Sequence, residues 1–258
     1  VSRSQDVERI RVGLAAAADA VRPYTPGAVD FVLKRERHDP VTEADRAANR
    51  VLRDILPQAG EGWLSEESVD DASRLAAERL WVVDPIDGTR EFVEGLPEWC
   101  ISIALVENGL PVAGGIFNPA TGETVLGSVE GGVTYNNGPA RVLDRGLDGA
   151  VVLASRSESR RGEWEHLASA PFEIRPCGSV AYKMALVAAG RVDATWTLVP
   201  KSEWDVAAGT ALVRGAGGRV VLADGSEPPF NQERPVFPNF VAAGPKTLEA
   251  VLERWLEG

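Results

Sequence analysis

Histidine, cysteine and methionine are almost missing from this chain, with two His, two Cys and one Met among 258 residues. His38 and His166 stand in no recognisable nucleophile motif, which weighs against hydrolysis by an activated serine or cysteine. Cys100 and Cys177 lie far apart and read as buried, reduced thiols rather than a disulfide or a metal pair. No Gly-x-x-x-x-Gly-Lys phosphate loop occurs, so nucleoside triphosphate hydrolysis is not expected. Positive charge is also short: 27 Lys and Arg stand against 38 Asp and Glu, giving a formal net charge of −11. A nucleic-acid polymer or an anionic membrane is a poor partner for such a chain. A small anionic substrate is still compatible, because bound cations invert a local potential. No apolar run approaches the ~20 residues of a membrane span. The opening residues read as an amphipathic helix rather than a secretory signal, so the expected location is cytoplasmic.

What the chain has is a large apolar fraction, 44% of residues, enough to bury a sizeable core. Apolar spacing predicts a helix over 4–22, with Val7, Ile10, Leu14, Ala17, Ala18 and Val21 inward. A second helix is predicted over 43–56, facing inward through Ala44, Ala47, Ala48, Val51, Leu52 and Ile55. Thr42 is placed to cap it, with Asp45 where a capping box needs an acid. Strand-like runs follow at 80–84, 100–107 and 111–117, and Asn108–Gly109 and Asn137–Gly138 signal tight turns in a hairpin-rich stretch over 99–143. Beyond it, strands at 150–154, 172–175, 192–197 and 218–222 alternate with helices at 157–168, 179–189, 204–214 and 245–257. The expected fold is α/β (α+β), helices layered on mixed sheets. Residues 1–258 read as one unit or two tightly joined halves, over about 1–143 and about 144–258.

The most informative stretch is Asp84-Pro85-Ile86-Asp87-Gly88-Thr89. Apolar residues precede it, so Asp84 is expected to close a buried strand, with Pro85 and Gly88 forcing a turn that projects Asp84 and Asp87 together. Carboxylates that close repel unless a cation neutralises them, and Mg²⁺ takes oxygen ligands of this kind, including a backbone carbonyl such as that of Ile86. A helix starting at Gly88 or Thr89 would add free N–H groups as an anion site. Alone, the string also fits a solvated turn. Glu66 and Glu67 after Trp63-Leu64 fit solvent-facing charge, and Asp205 and Asp45 fit acids serving helix starts. The ordered set is more telling than its pieces.

That set resembles the inositol monophosphatase superfamily. The likeness rests on Ser65-Glu66-Glu67-Ser68, Asp84-Pro85-Ile86-Asp87-Gly88-Thr89 and Trp204-Asp205-Val206-Ala207-Ala208-Gly209. Val41 to Asp45, Gly178-Ser179, Ala188 to Asp193 and Gly215 to Gly218 extend it over nearly the whole chain. The resemblance implies an α-β-α-β-α sandwich and a Mg²⁺-dependent phosphoric monoester hydrolase. It implies one ion on Glu66, Asp84 and the Ile86 carbonyl, and a second on Asp84, Asp87 and Asp205. A third, looser ion near Glu66 would be assisted by Asp45. Thr89, backed by Asp45, would orient or deprotonate the attacking water, with Glu66 also in the catalytic set. Gly88 and Thr89 would cradle the phosphate, and Gly178, Ser179 and Glu203 would meet the rest of the substrate. Inhibition by Li⁺ and a homodimer are further expectations of the likeness.

For the substrate, the spacing from Gly178 through Gly190 to Trp204-Asp205 resembles inositol monophosphatases and favours a small phosphorylated polyol such as inositol 1-phosphate. Arg90-Glu91-Phe92 and Ser155-Arg156-Ser157 resemble the branch that hydrolyses 3′-phosphoadenosine 5′-phosphate, so a bisphosphate nucleotidase is the alternative. A catalytically silent metal- or sugar-phosphate-binding module is the reading of another class. Lys183 reads as a surface lysine before it reads as a contact for a second phosphate.

Overall fold

The computed structural model describes residues 2–33, 40–197 and 199–256; His38 lies outside them. The chain opens with α1 (Arg3–Val21), a pair of short strands β1 (Phe31–Leu33) and β2 (Pro40–Thr42), and α2 (Glu43–Ile55). It continues through β3 (Gly62–Ser65), β4 (Arg79–Asp87), α3 (Thr89–Glu94), β5 (Cys100–Glu107), β6 (Leu110–Asn118), β7 (Glu123–Ser128), β8 (Gly132–Tyr135) and β9 (Gly138–Ala140). Then come β10 (Val151–Ser155), α4 (Arg156–Arg160), β11 (Glu173–Cys177), α5 (Val180–Ala188), β12 (Ala194–Thr197) and β13 (Lys201–Ser202). The chain closes with α6 (Glu203–Gly215), β14 (Arg219–Val221), β15 (Val236–Phe237), β16 (Phe240–Ala243) and α7 (Pro245–Leu256).

Strands β3 to β9 form a seven-stranded sheet in sequence order, parallel at β3/β4 and antiparallel thereafter. A second sheet of five strands runs β11-β10-β12-β16-β14, parallel on the β11 side and antiparallel at β16. Helices α1 and α2 cover one face of the large sheet, α5 and α6 sit between the two sheets, and α7 packs on the far side of the small one. The result is the expected α-β-α-β-α order. Each interface has its own core. Ile10, Leu14, Leu52, Trp81 and Ile103 fill the first, Met184, Val206, Leu212 and Phe240 the central one, and Trp196, Val241 and Leu248 the third. Burial at roughly 25 cal/mol per Å² of apolar surface holds these layers together.

Several boundaries move from the sequence-based expectation. The inner face of α2 omits Ile55, which is 42% exposed, and Leu56 takes the buried place one residue later. The second tight turn is Asn136–Asn137, both at positive φ, and Gly138 already belongs to β9. The helix predicted over 157–168 stops at Arg160, because the chain reverses at Gly162 with φ of 78° before a single 3₁₀ turn at Glu165–Leu167. Strand β4 does not end at Asp84. Its pairing with β5 resumes at Asp87 opposite Cys100 after a register shift across Pro85 and Ile86. That bulge, rather than a simple turn, projects the two aspartates.

Candidate active site

Five segments converge on one cavity of about 210 Å³. The bulge of β4 contributes Asp84, Ile86 and Asp87, and the residue after β3 contributes Glu66. The start of α3 brings Gly88, Thr89, Arg90 and Glu91, while the turn between β11 and α5 brings Gly178 and Ser179. Asp205, third residue of α6, completes the wall. Its capping box with Ser202, whose N–H donates to Asp205 Oδ2 at 2.9 Å, fixes the carboxylate at the helix mouth. Carboxylate oxygens of Asp84, Asp87 and Asp205 lie within 4.8 Å of one another, although the three residues span more than a hundred positions. The helix-start role expected of Asp205 and its place in the acidic cluster are both realised.

Backbone geometry at the Asp84–Thr89 loop is demanding. Gly88 caps α3 with φ of 93°, and a Cβ there would meet the Glu98 carbonyl oxygen at 2.9 Å. Only glycine adopts that conformation and spacing without strain. Thr89 then places its hydroxyl 3.0 Å from Asp45 Oδ1 and 2.9 Å from the Ile86 carbonyl, which share its single proton. Asp45 is almost wholly buried, and its other oxygen accepts both the N–H (2.8 Å) and the hydroxyl (2.6 Å) of Thr42. The capping box expected at α2 thus also aims a carboxylate at Thr89.

Electrostatics follow from crowding. Burial pushes the Asp45 carboxyl up, opposed by the hydrogen bonds from Thr42 and Thr89. Burial likewise raises Asp87, against donation from the Ser179 hydroxyl at 2.7 Å and from the Ala181 N–H. Asp205 presents an edge to the cavity but is otherwise enclosed. Burial first, then repulsion from Asp87 and Glu66, lifts it to about 8. Hard oxygen donors that resist ionisation together fit a divalent cation, which removes the repulsion.

Two expected residues take other places. Glu203 is fully buried and absent from the cavity wall; its oxygens accept the N–H groups of Asn231 at 2.9 Å and Gln232 at 2.8 Å. It ties the start of α6 to the segment before β15, and Arg74 lies close enough to favour its charge. Lys183 is no surface lysine: it is 3% exposed and lines the cavity floor. Ser179 does reach the cavity, but its hydroxyl is committed to Asp87. The sequence reading used Glu91 only as part of the Arg90-Glu91-Phe92 likeness; it packs so closely on Gly178 that a Cβ there would meet its carboxyl carbon at 2.4 Å. Both cysteines are buried and unpaired; burial raises Cys177 to about 12, so neither is a ready nucleophile.

With this geometry in place, comparison with known proteins is specific. Residues 4–255 match the inositol monophosphatase family. An inositol-1-monophosphatase of Rhizobium meliloti (strain 1021) is 37% identical over 226 residues, covering 84% of each chain. A fructose-1,6-bisphosphatase/inositol-1-monophosphatase of Thermotoga maritima is 38% identical over 208 residues, covering 78% of each. Among solved structures, a Thermotoga maritima IMPase superposes with a TM-score of 0.84 at 30% identity, over 98% of this chain and 96% of that one.

Proposed function

Because the chain belongs to the inositol monophosphatase family and is a phosphatase hydrolase, we propose that it hydrolyses a small phosphomonoester with Mg²⁺ held by its acidic cluster. The observation that carries this is the carboxylate trio of Asp84, Asp87 and Asp205 in one cavity with a hydroxyl backed by a buried acid. Glu66, Asp84 and the Ile86 carbonyl would hold one ion and Asp84, Asp87 and Asp205 a second, with a looser third near Glu66 and Asp45. Such ions polarise phosphoryl oxygens and make bound water acidic at neutral pH. Thr89 Oγ1 accepts a hydrogen bond from the attacking water while passing its own proton toward Asp45 Oδ1. Asp45 is suited to receive it, because burial already favours its protonated form. The N–H groups of Gly88 and Thr89 receive phosphate oxygens, and Li⁺ competes for the metal positions.

The leaving group is the finer question. Five carboxylates, Glu66, Asp84, Asp87, Glu91 and Asp205, share the lining with four basic residues, Arg90, Arg156, Lys183 and Lys201. Two divalent ions turn that balance positive, which favours a substrate with a second anionic group, as in 3′-phosphoadenosine 5′-phosphate. Arg156 is pre-set for such a role by Glu98, which it meets in a two-oxygen ion pair. Inositol 1-phosphate is the second reading, supported by the names of the bacterial relatives. Phosphate release with and without Mg²⁺ from inositol 1-phosphate, 3′-phosphoadenosine 5′-phosphate, fructose 1,6-bisphosphate and histidinol phosphate tests both. Preference for a bisphosphate that Arg156→Ala abolishes supports the first reading, and preference for inositol 1-phosphate the second. Metal-bound protein that releases phosphate from none of them refutes the small-phosphomonoester assignment.

A further inference from the structure

The cavity floor holds a cation that the metal ligands do not account for. Lys183 projects from the first turns of α5 into a position 3% exposed, where a lysine is costly unless compensated. Its ammonium group donates to the carbonyl oxygen of Ser179 at 2.9 Å and to that of Cys177 at 3.4 Å. A lysine has three such donors, and the cavity it lines is the remaining direction. The two accepting carbonyls frame Gly178 and Ser179. Ser179 is a non-glycine residue at φ of 52°, a conformation that its surroundings must enforce. Its hydroxyl is the donor to Asp87 Oδ2. Burial works against the ammonium charge, and so does Lys201, while Asp87 and Glu91 lie close enough to favour it.

We propose that Lys183 is the resident cation of the active site and biases the cavity toward phosphate at the expense of the metal. The inference rests on the metal-dependent reading above. Its physics is simple: a fixed positive charge repels an incoming divalent cation and attracts a phosphate dianion, so its removal moves the two affinities in opposite directions. A side chain that merely fills space has no such signature, because loosening the turn weakens both.

The test is calorimetric titration of Mg²⁺ into the metal-free protein, then of inorganic phosphate into the Mg²⁺-saturated protein. Lys183→Met keeps the aliphatic stem and removes the charge. It is expected to bind Mg²⁺ at least roughly tenfold more tightly and phosphate at least roughly tenfold more weakly, a floor well below the unscreened interaction of two nearby charges at an effective dielectric of about 20. Loss of both affinities, or movement of neither, overturns the proposal. Glu91→Gln, a nearly isosteric change of opposite sign, is expected to weaken Mg²⁺ and strengthen phosphate. Should the Lys183 variant fail to fold, Lys183→Met with Glu91→Gln removes both neighbouring charges together. That pair is expected to keep both affinities within about threefold of the parent, and their joint loss in a folded protein overturns the charge argument. Parent protein that binds no Mg²⁺ refutes the metal-dependent reading itself, a result separate from either variant.

Discussion

Asp205→Asn separates what the acidic cluster costs the fold from what it does for chemistry. The carboxamide oxygen can still accept the Ser202 N–H, so the cap of α6 is kept. What disappears is a carboxyl raised from 3.8 to about 8, by burial first and then by Asp87 and Glu66. In the unfolded chain an Asp titrates near ~3.9. Between those values the unfolded state gives up its proton while the folded state keeps it, so relative stability is full below the lower pKa and is lost as pH rises through the upper one. One unit of displacement is worth about 1.4 kcal/mol, and the metal-free protein therefore gives up several kcal/mol across that window. Even with half of it offset by relaxation of the open cluster, Asp205→Asn gains about 2 kcal/mol near pH 8, or about 4–8 °C in Tm for a chain of this length. Thermal denaturation with chelator, from about pH 5 to about pH 8.5, measures this directly. Added Mg²⁺ should then raise the parent's Tm clearly more than the variant's, which keeps only the ion site that does not use Asp205, because a ligand stabilises only the state that binds it. A variant that melts below the parent near pH 8 without metal, or a parent Tm flat across that range, refutes the reasoning.

Thr89→Ala is expected to lower kcat by roughly 10²–10⁴ while keeping the Mg²⁺-induced rise in Tm; equal loss of both would make Thr89 a structural cap instead. Glu203→Ala leaves the N–H groups of Asn231 and Gln232 without their acceptors, a loss of about 2–4 kcal/mol that denaturant unfolding would register. Its KM for inositol 1-phosphate should stay within about threefold in folded protein; a larger rise would return Glu203 to the substrate contacts.

Short-range rules made much of this molecule readable from its residues. The Thr42–Asp45 box, the Asn108–Gly109 turn and the Asp84–Thr89 string each depend on neighbours within a few positions. Layer order was accessible only through the family likeness, since no periodicity tells α5 and α6 that they will lie between two sheets. Lys183 looks like a surface charge because lysine usually is, yet the adjoining β11–α5 turn encloses it. Glu203 entered as a substrate contact through the family likeness, and its hydrogen-bond partners near Asn231 lie far along the chain. The helix over 157–168 failed where Gly162 could reverse the backbone more cheaply than continue it. The packing of Glu91 on Gly178 was not legible because the two lie 87 positions apart in the chain.

The middle helical layer has a consequence for how this enzyme can be built or taken apart. Helix α6 lies against β4 to β8 of one sheet and β14 and β16 of the other, and it carries Asp205 on its first turn. A break in the chain between β9 and β10 would leave Asp84 and Asp87 on one fragment and Asp205 on the other. Neither piece would own a complete acidic trio, and the face of the large sheet beneath α5 and α6 would stand bare. Catalytic competence is therefore a property of assembly: the chemistry comes into existence only when both fragments share one core.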